Sequence, residues 1–252
     1  MIVEITYNSE KYTIDLSNPL DISIAIDTTK ENVNAWYIDD PEIIPEQFDG
    51  NSVEVVKGAP VNFNSIHFNP HSHITHTECV GHITAQVHSI NQNLKNYFFL
   101  TDVITIVPEE IEEDKIITKK QLQDILGNKA HEALVIRTAP NTSDKKSRKY
   151  SNTNPPYLDA AGASYLKQIG VKHLLIDLPS VDKERDEGKL ASHNTFWNTE
   201  GDIRLDATIT EFIYVPNTIK DGVYFLNLMI APFENDATPS KPILYNILKK
   251  VT

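Results

Sequence analysis

Five of the nine histidines in this 252-residue chain fall in one string, His67-Phe68-Asn69-Pro70-His71-Ser72-His73-Ile74-Thr75-His76-Thr77-Glu78-Cys79-Val80-Gly81-His82. Imidazoles with a carboxylate interleaved form a donor set suited to a divalent metal such as Zn²⁺ or Mn²⁺. They can also carry protons near neutrality. On an extended chain, side chains two apart share a face, so His76 and Glu78 can chelate one ion, and His82 has the same parity. Cys79, the single cysteine, could act as a thiolate nucleophile with a histidine partner. Its odd position turns it to the opposite face, which reads as a buried, inert thiol. His67, His88, His131 and His173 read as hydrogen-bonded structural residues.

The elements that must position this string begin with sheet. Residues 2–7 and 11–16 alternate apolar and polar around Asn8-Ser9-Glu10, which predicts a β-hairpin over about residues 1–17. Short strands are expected at 21–26, 52–56, 61–68, 81–87 and 97–107, separated by Pro, Gly, Asn and Asp clusters. Thr118 caps an expected helix over 119–126 that stops at Gly127, and 133–138 reads as a buried strand. A helix over 159–169 ends at Gly170 and is followed by a buried strand over 171–176, giving one α/β unit. Later strands are expected at 207–215, 223–231 and 243–248. The polar stretches 141–154 and 182–189 read as solvated connectors, although such loops also form site rims.

Composition narrows the function classes. With 35 Asp+Glu against 23 Lys+Arg the net charge is -12, a field that repels phosphate, so nucleic acid and anionic membranes are poor partners. One cysteine excludes an intrachain disulfide framework and any multi-cysteine zinc site. The start Met1-Ile2-Val3-Glu4-Ile5-Thr6-Tyr7 lacks the basic and apolar blocks of a signal peptide, and apolar runs fall short of the roughly 18 residues of a membrane helix. The expectation is a cytoplasmic protein, one domain over residues 1–252, acting on a small molecule.

The string Thr75-His76-Thr77-Glu78-Cys79-Val80-Gly81-His82 resembles the H-x-G-T-H-x-D-x-P-x-H signature of the cyclase family of metal-dependent hydrolases, which includes bacterial kynurenine formamidase and isatin hydrolase. Val135-Ile136-Arg137-Thr138, the run Gly170-Val171-Lys172-His173-Leu174-Leu175-Ile176-Asp177-Leu178-Pro179-Ser180-Val181-Asp182, and Thr208-Ile209-Thr210-Glu211 agree in order. The resemblance spans about residues 20–248. It implies an α/β (α+β) chain with a swivelling β/β/α fold, mostly sheet with a few helices, a divalent Zn or Mn, and a homodimer or higher homo-oligomer. Carried over residue by residue, His76 and Glu78 are metal ligands, with Glu78 standing for the family's Asp. His82 is the catalytic base, and Glu211 is the late carboxylate that completes the metal site and takes part in catalysis. His193 is similar to the family's late histidine.

The family's first histidine falls at Ser72 here. The candidates are His71 and His73, both of the wrong parity on a strand, so an inserted residue or β-bulge is expected. His71 is favoured because Pro70-His71 resembles the family's lead-in. Ile74 replaces a glycine and Val80 a proline.

The implied activity is hydrolysis of an amide, formamide or lactam C–N bond, arylformamidase-like, with His82 moving the proton. Phe63, Phe68, Trp36 and Phe196 are candidate aromatics at the mouth, each also suited to core. Arg137 and Asp177 suit a structural ion pair or loop anchor as well as substrate binding. Two other readings are carried: a cyclase-fold binding or structural protein with a degraded metal site, and a Cys79 hydrolase.

Overall fold

The two most apolar runs of the second half, Ala133–Thr138 and His173–Ile176, are buried along their whole length and pair in parallel. Strands covered on both faces read as continuous apolar runs for this reason. Phe98–Ile106 adds in parallel on one side and Thr208–Glu211 on the other. Antiparallel pairings complete the circuit. His76–Glu78 joins Thr208–Glu211 to the start of the long strand Ala237–Val251, which runs on beside Gly222–Ile230, itself paired with Phe98–Ile106. In this computed structural model, which describes residues 1–29, 31–128 and 132–251, these seven strands close into a barrel.

The period of two along each strand divides the core. Val103, Val135, Leu175, Leu226 and Leu228 pack together with Cys79 on the inside. Ile104, Leu134, Ile136, Leu174, Ile176 and Ile209 face outward into a second core. The helices are α1 (Pro70–His73), α2 (Ile90–Asn93), α3 (Lys119–Leu126), α4 (Ala160–Gln168) and α5 (Ala191–Trp197). Leu122 of α3, Leu166 of α4, and Phe196 and Trp197 of α5 cover the outer core, each contributing about 1.5–3 kcal/mol of apolar burial. Thr118 caps α3 as the sequence predicts, and the cap is a reciprocal capping box with Gln121. Ile2–Tyr7 and Glu10–Asp15 form an antiparallel hairpin that pairs with the end of Ala237–Val251.

Several expected strands are absent or shorter, each for a local reason. After Leu20–Asp21, the Asp21 carboxylate accepts from Ser23 N at 2.9 Å and turns the chain away from the sheet; Asx turns of this kind compete with ladders. Asn51–Ser52 is followed by a 3₁₀ turn at Val55–Lys57, and only Asn64–His67 of residues 61–68 is a strand. The expected strand at 81–87 is not formed. Val80–His82 is a 3₁₀ turn, and Gly81 lies so close to the His88 carbonyl that a Cβ there would stand 2.2 Å from its oxygen. That contact requires glycine. His131 lies outside the described residues. Among the described residues no helix is long and apolar enough to cross a membrane.

Candidate metal centre

Pairing register builds the floor of the site. His76 stands directly opposite Glu211, and Glu78 opposite Ile209, and opposed residues on an antiparallel pair share a face. Thr77 and Thr210 turn the other way and bond hydroxyl to hydroxyl at 2.8 Å, while Cys79 enters the inner core. His76, Glu78 and Glu211 therefore point outward beneath α5, all three buried.

The other groups come from turns. Asn69 caps α1 by accepting from His71 N at 2.9 Å, with Pro70 in the first helical position, where proline's missing N–H and fixed φ fit. This helical turn, and not a bulge, brings His71 to the cluster: the alternation that made its parity wrong stops at Ile74. Ile74 itself is extended at φ -155, so nothing there requires glycine. His71 and His73 point in different directions. His71 Nδ1 lies 3.2 Å from Glu78 Oε2. The His73 ring instead accepts from Asn69 N at 3.0 Å and meets the Asp39 carbonyl at 2.8 Å, away from the cluster. His82, on the 3₁₀ turn, has its Nε2 4.0 Å from Glu78 Oε2 and a side chain 31% accessible. His193 reaches down from α5, its Nε2 at 3.1 Å from Glu78 Oε1 and 3.9 Å from Glu211 Oε1.

Two carboxylates without a role in the sequence reading hold these rings. Asp182 Oδ2 lies 2.6 Å from His193 Nδ1, and the same carboxylate accepts from the backbone of Ser192 and His193. Asp236 Oδ2 lies 2.8 Å from His71 Nε2 and 3.2 Å from His82 Nδ1. Residues 182–189 are thus more than a connector. Asp182 is buried, and Glu184 accepts from Asn152 N, Asn154 N and the Tyr37 hydroxyl, locking this loop to residues 141–154. Leu190, where α5 begins, is held in the left-handed region at φ 43 with its N–H on Asp186. Trp36, Tyr37 and Phe212 share that conformation, which costs a side-chain-bearing residue about 1–2 kcal/mol. Such strain gathers at functional sites.

Two buried polar atoms at the centre, His76 Nε2 and Glu78 Oε2, have no hydrogen-bond partner. They are 3.8 Å apart, and His76 Nε2 is 3.5 Å from Glu211 Oε2. Neighbouring ligands of one tetrahedral ion, at about 2.0–2.1 Å each, stand about 3.3 Å apart. His71, His76 and Glu78 offer atoms within 4.8 Å of one another, as do Glu78, His82 and His193. The donor set therefore fits a divalent cation.

Electrostatics agrees. Burial opposes charge on His193, but its bonds to Asp182 and Glu78 outweigh burial and push it up to about 10. His71 also rises to about 10, Asp236 and then Glu78 outweighing burial. Burial wins at His76, which falls to about 3. Burial and then repulsion from Glu78 raise Glu211 to about 8. Glu78 stays well below the carboxylate range because the surrounding imidazoles overcome its burial. Protons on His71 and His193 thus supply the positive charge that the carboxylates require when no cation is bound.

Above the cluster opens a cavity of about 340 Å³ with Trp36, Ile38 and Leu190 on its apolar side and Asn69, Ser72 and Ser180 on its polar side. Of the four aromatics expected at the mouth, only Trp36 lines it; its indole donates to the His71 carbonyl at 3.0 Å. Phe196 is fully buried core, Phe63 stacks on Phe48 and Phe68 packs beside Phe233. The Cys79 nucleophile is not supported: the thiol contacts the His88 carbonyl within the inner core, and burial pushes it up to about 11. Arg137 bonds Asp221 at 2.8 Å and two backbone carbonyls, and Asp177 bonds Lys145 at 2.7 Å. Both charges are structural.

No curated protein sequence matches the chain. Solved structures do. One described as a potential metal-dependent hydrolase with cyclase activity superposes with a TM-score of 0.66 at 14% identity, covering 90% of this chain and 97% of its own. An isatin hydrolase bound to the product analogue thioisatinate gives 0.66 at 15%, covering 91% and 92%. A predicted metal-dependent hydrolase from Bacillus stearothermophilus gives 0.63 at 14%, covering 90% and 98%. At these identities the likeness establishes the fold, which is mostly sheet with few helices, as the resemblance implies. The sequence profile of the Cyclase family matches residues 14–183, more than half of the chain, and so the chain belongs to the cyclase family.

Proposed function

We propose that the protein is a metal-dependent hydrolase of C–N bonds in amides, formamides or lactams, arylformamidase-like in the bond it cleaves. The observation that carries this reading is the pair of orphaned, fully buried atoms His76 Nε2 and Glu78 Oε2 among ligand-spaced donors beneath an open cavity. Leaving a buried atom such as His76 Nε2 unpaired costs about 1–3 kcal/mol, and Glu78 Oε2 has only the His71 ring at 3.2 Å for company; a bound cation removes that cost. His71, His76, Glu78, His193 and Glu211 would hold the ion, Zn²⁺ or Mn²⁺. A divalent cation there supplies Lewis acidity, making a water acidic near neutrality and polarising a carbonyl.

The chain's own residues do the rest. His82, the most accessible imidazole of the cluster, takes a proton from the attacking water through Nε2 and returns it to the leaving nitrogen. Glu211 would help hold the ion and would orient the water. Trp36, Ile38 and Leu190 receive the apolar part of a small-molecule substrate and exclude water from it.

The test is elemental analysis after mild purification, with thermal shifts on adding Zn²⁺ or Mn²⁺. Stoichiometric metal and a rise in Tm are expected; absence of both overturns the reading. His76→Ala should abolish metal binding. His82→Ala should keep the metal and lose about 10²- to 10⁴-fold in turnover of N-formyl arylamine and isatin-type lactam probes. Equal metal loss in both variants would make His82 a ligand.

A further inference from the structure

We propose that Asp236 is a positioning residue that fixes two imidazoles of different function at once, turning His71 Nδ1 and His82 Nε2 toward Glu78; this rests on the metal-hydrolase reading above. Asp236 lies far along the chain from the histidine string, immediately before the Ala237–Val251 strand. Pairing of Ala237 with Glu78, and a bond from Cys79 N to the Asp236 carbonyl at 3.0 Å, fix its backbone beside the cluster. From there a single oxygen, Oδ2, reaches His71 Nε2 at 2.8 Å and His82 Nδ1 at 3.2 Å. A carboxylate oxygen has lone pairs for both but no proton to give, so each bonded nitrogen is an N–H donor.

The far nitrogen of each ring is thereby assigned. His71 Nδ1 stands 3.2 Å and His82 Nε2 4.0 Å from the orphaned Glu78 Oε2. The rings also stack on each other, with centroids 4.2 Å apart at 26°. His71 is a proposed ligand and His82 the proposed base. One carboxylate therefore holds the metal-facing nitrogen of the first and the proton-accepting nitrogen of the second in a single arrangement, and partners of this kind fix ring orientation and raise ligand basicity. His193 has its own partner in Asp182, so among the described residues the Asp236 carboxylate serves His71 and His82.

The test uses the full-length protein labelled with ¹⁵N-histidine, with and without Zn²⁺. In the metal-free protein, the N–H protons of His71 Nε2 and His82 Nδ1 should exchange slowly, and both signals should vanish in Asp236→Asn and Asp236→Ala. In the Zn²⁺-loaded protein, His71 should show a metal-bound Nδ1 and a protonated Nε2. The variants should bind Zn²⁺ roughly 10- to 100-fold more weakly, with partial recovery in Asp236→Glu, which also serves if the other variants fold poorly. Unchanged histidine signals and Zn²⁺ affinity within twofold of wild type would overturn the proposal. Complete loss of Zn²⁺, equal to that of His76→Ala, would also overturn it by making Asp236 a ligand. If the wild type binds no metal, the hydrolase reading fails, and the metal-free signals still decide whether Asp236 orients the two rings.

Discussion

The Lys145–Asp177 pair and the cluster around Glu78 are both groups of buried charge, and they differ in what is left over. Lys145 Nζ spends its three protons on Asp177 Oδ2, the Thr138 carbonyl and the Thr138 hydroxyl, at 2.7–2.8 Å. Asp177 in turn accepts from the N–H and hydroxyl of Thr138 at 2.9–3.0 Å. Thr138 N shares its proton between the two Asp177 oxygens, and although Thr138 and Lys145 border a cavity of about 440 Å³, their charged and polar atoms already bond one another. The other cluster keeps His76 Nε2 and Glu78 Oε2 unpaired and opens to about 340 Å³. A closed network of buried charge supports structure; an open one has capacity for a ligand.

The largest effect should come from breaking the closed network. Asp177→Ala leaves an ammonium buried without its anion, which should cost about 3–5 kcal/mol in urea unfolding while leaving Zn²⁺ affinity per folded molecule unchanged. The double variant Lys145→Met with Asp177→Leu should recover most of that loss, because burial already pushes Asp177 upward despite the ammonium beside it and the pair has little net stability to lose. Failure of the double variant to recover would mean that the pair also shapes the residue 139–154 loop.

Glu78→Gln should behave in the opposite way. It removes one anion beside His71 and His193 but leaves them Asp236 and Asp182 and keeps an acceptor for His193, so the metal-free protein should lose less than Asp177→Ala does, about 1–3 kcal/mol. What should disappear is the stabilisation by metal, about 2.7 kcal/mol at a free concentration 100 times Kd. A Zn²⁺-induced rise in Tm that survives in Glu78→Gln would show that the open network is not where the ion sits.

The difference between the two networks also explains what could be read in advance. The parallel strands announce themselves as unbroken apolar runs, and Thr118 and Gly127 bracket α3, so the barrel's central elements are legible. His76, Glu78 and Glu211 are legible too, through motif and through the period of two. His71 was misplaced on a strand because alternation was carried across Asn69-Pro70, itself a cap-and-first-turn signature that marks a helical start. Asp236 and Asp182 were missed for a different reason. Their partners lie 165 and 11 residues away, and only the closing of the sheet and the strained turn at Leu190 bring them together. Asp182 carried one signal, its place at the end of the Gly170–Asp182 run before a helix; Asp236 carried none that a single sequence offers.

His173 gives the most specific test, because it is a buried imidazole outside both networks. Its ring lies 4.1 Å from that of Phe99 and its Nδ1 is 2.9 Å from the Thr208 hydroxyl, and burial pushes it down to about 4 from an ordinary 6.5. A folded pKa below the unfolded one means that the unfolded chain takes up a proton first. Stability associated with this group is intact above pH 6.5, falls progressively below it, and reaches its full loss below pH 4, on the order of a few kcal/mol. His173→Gln should therefore be less stable than the wild type at pH 8, through lost packing, yet lose less on going from pH 7 to pH 4.5, read as the difference between the two proteins' urea midpoints. If the two pH profiles run parallel, His173 is not the group that takes up the proton, and the acid sensitivity belongs to the open cluster.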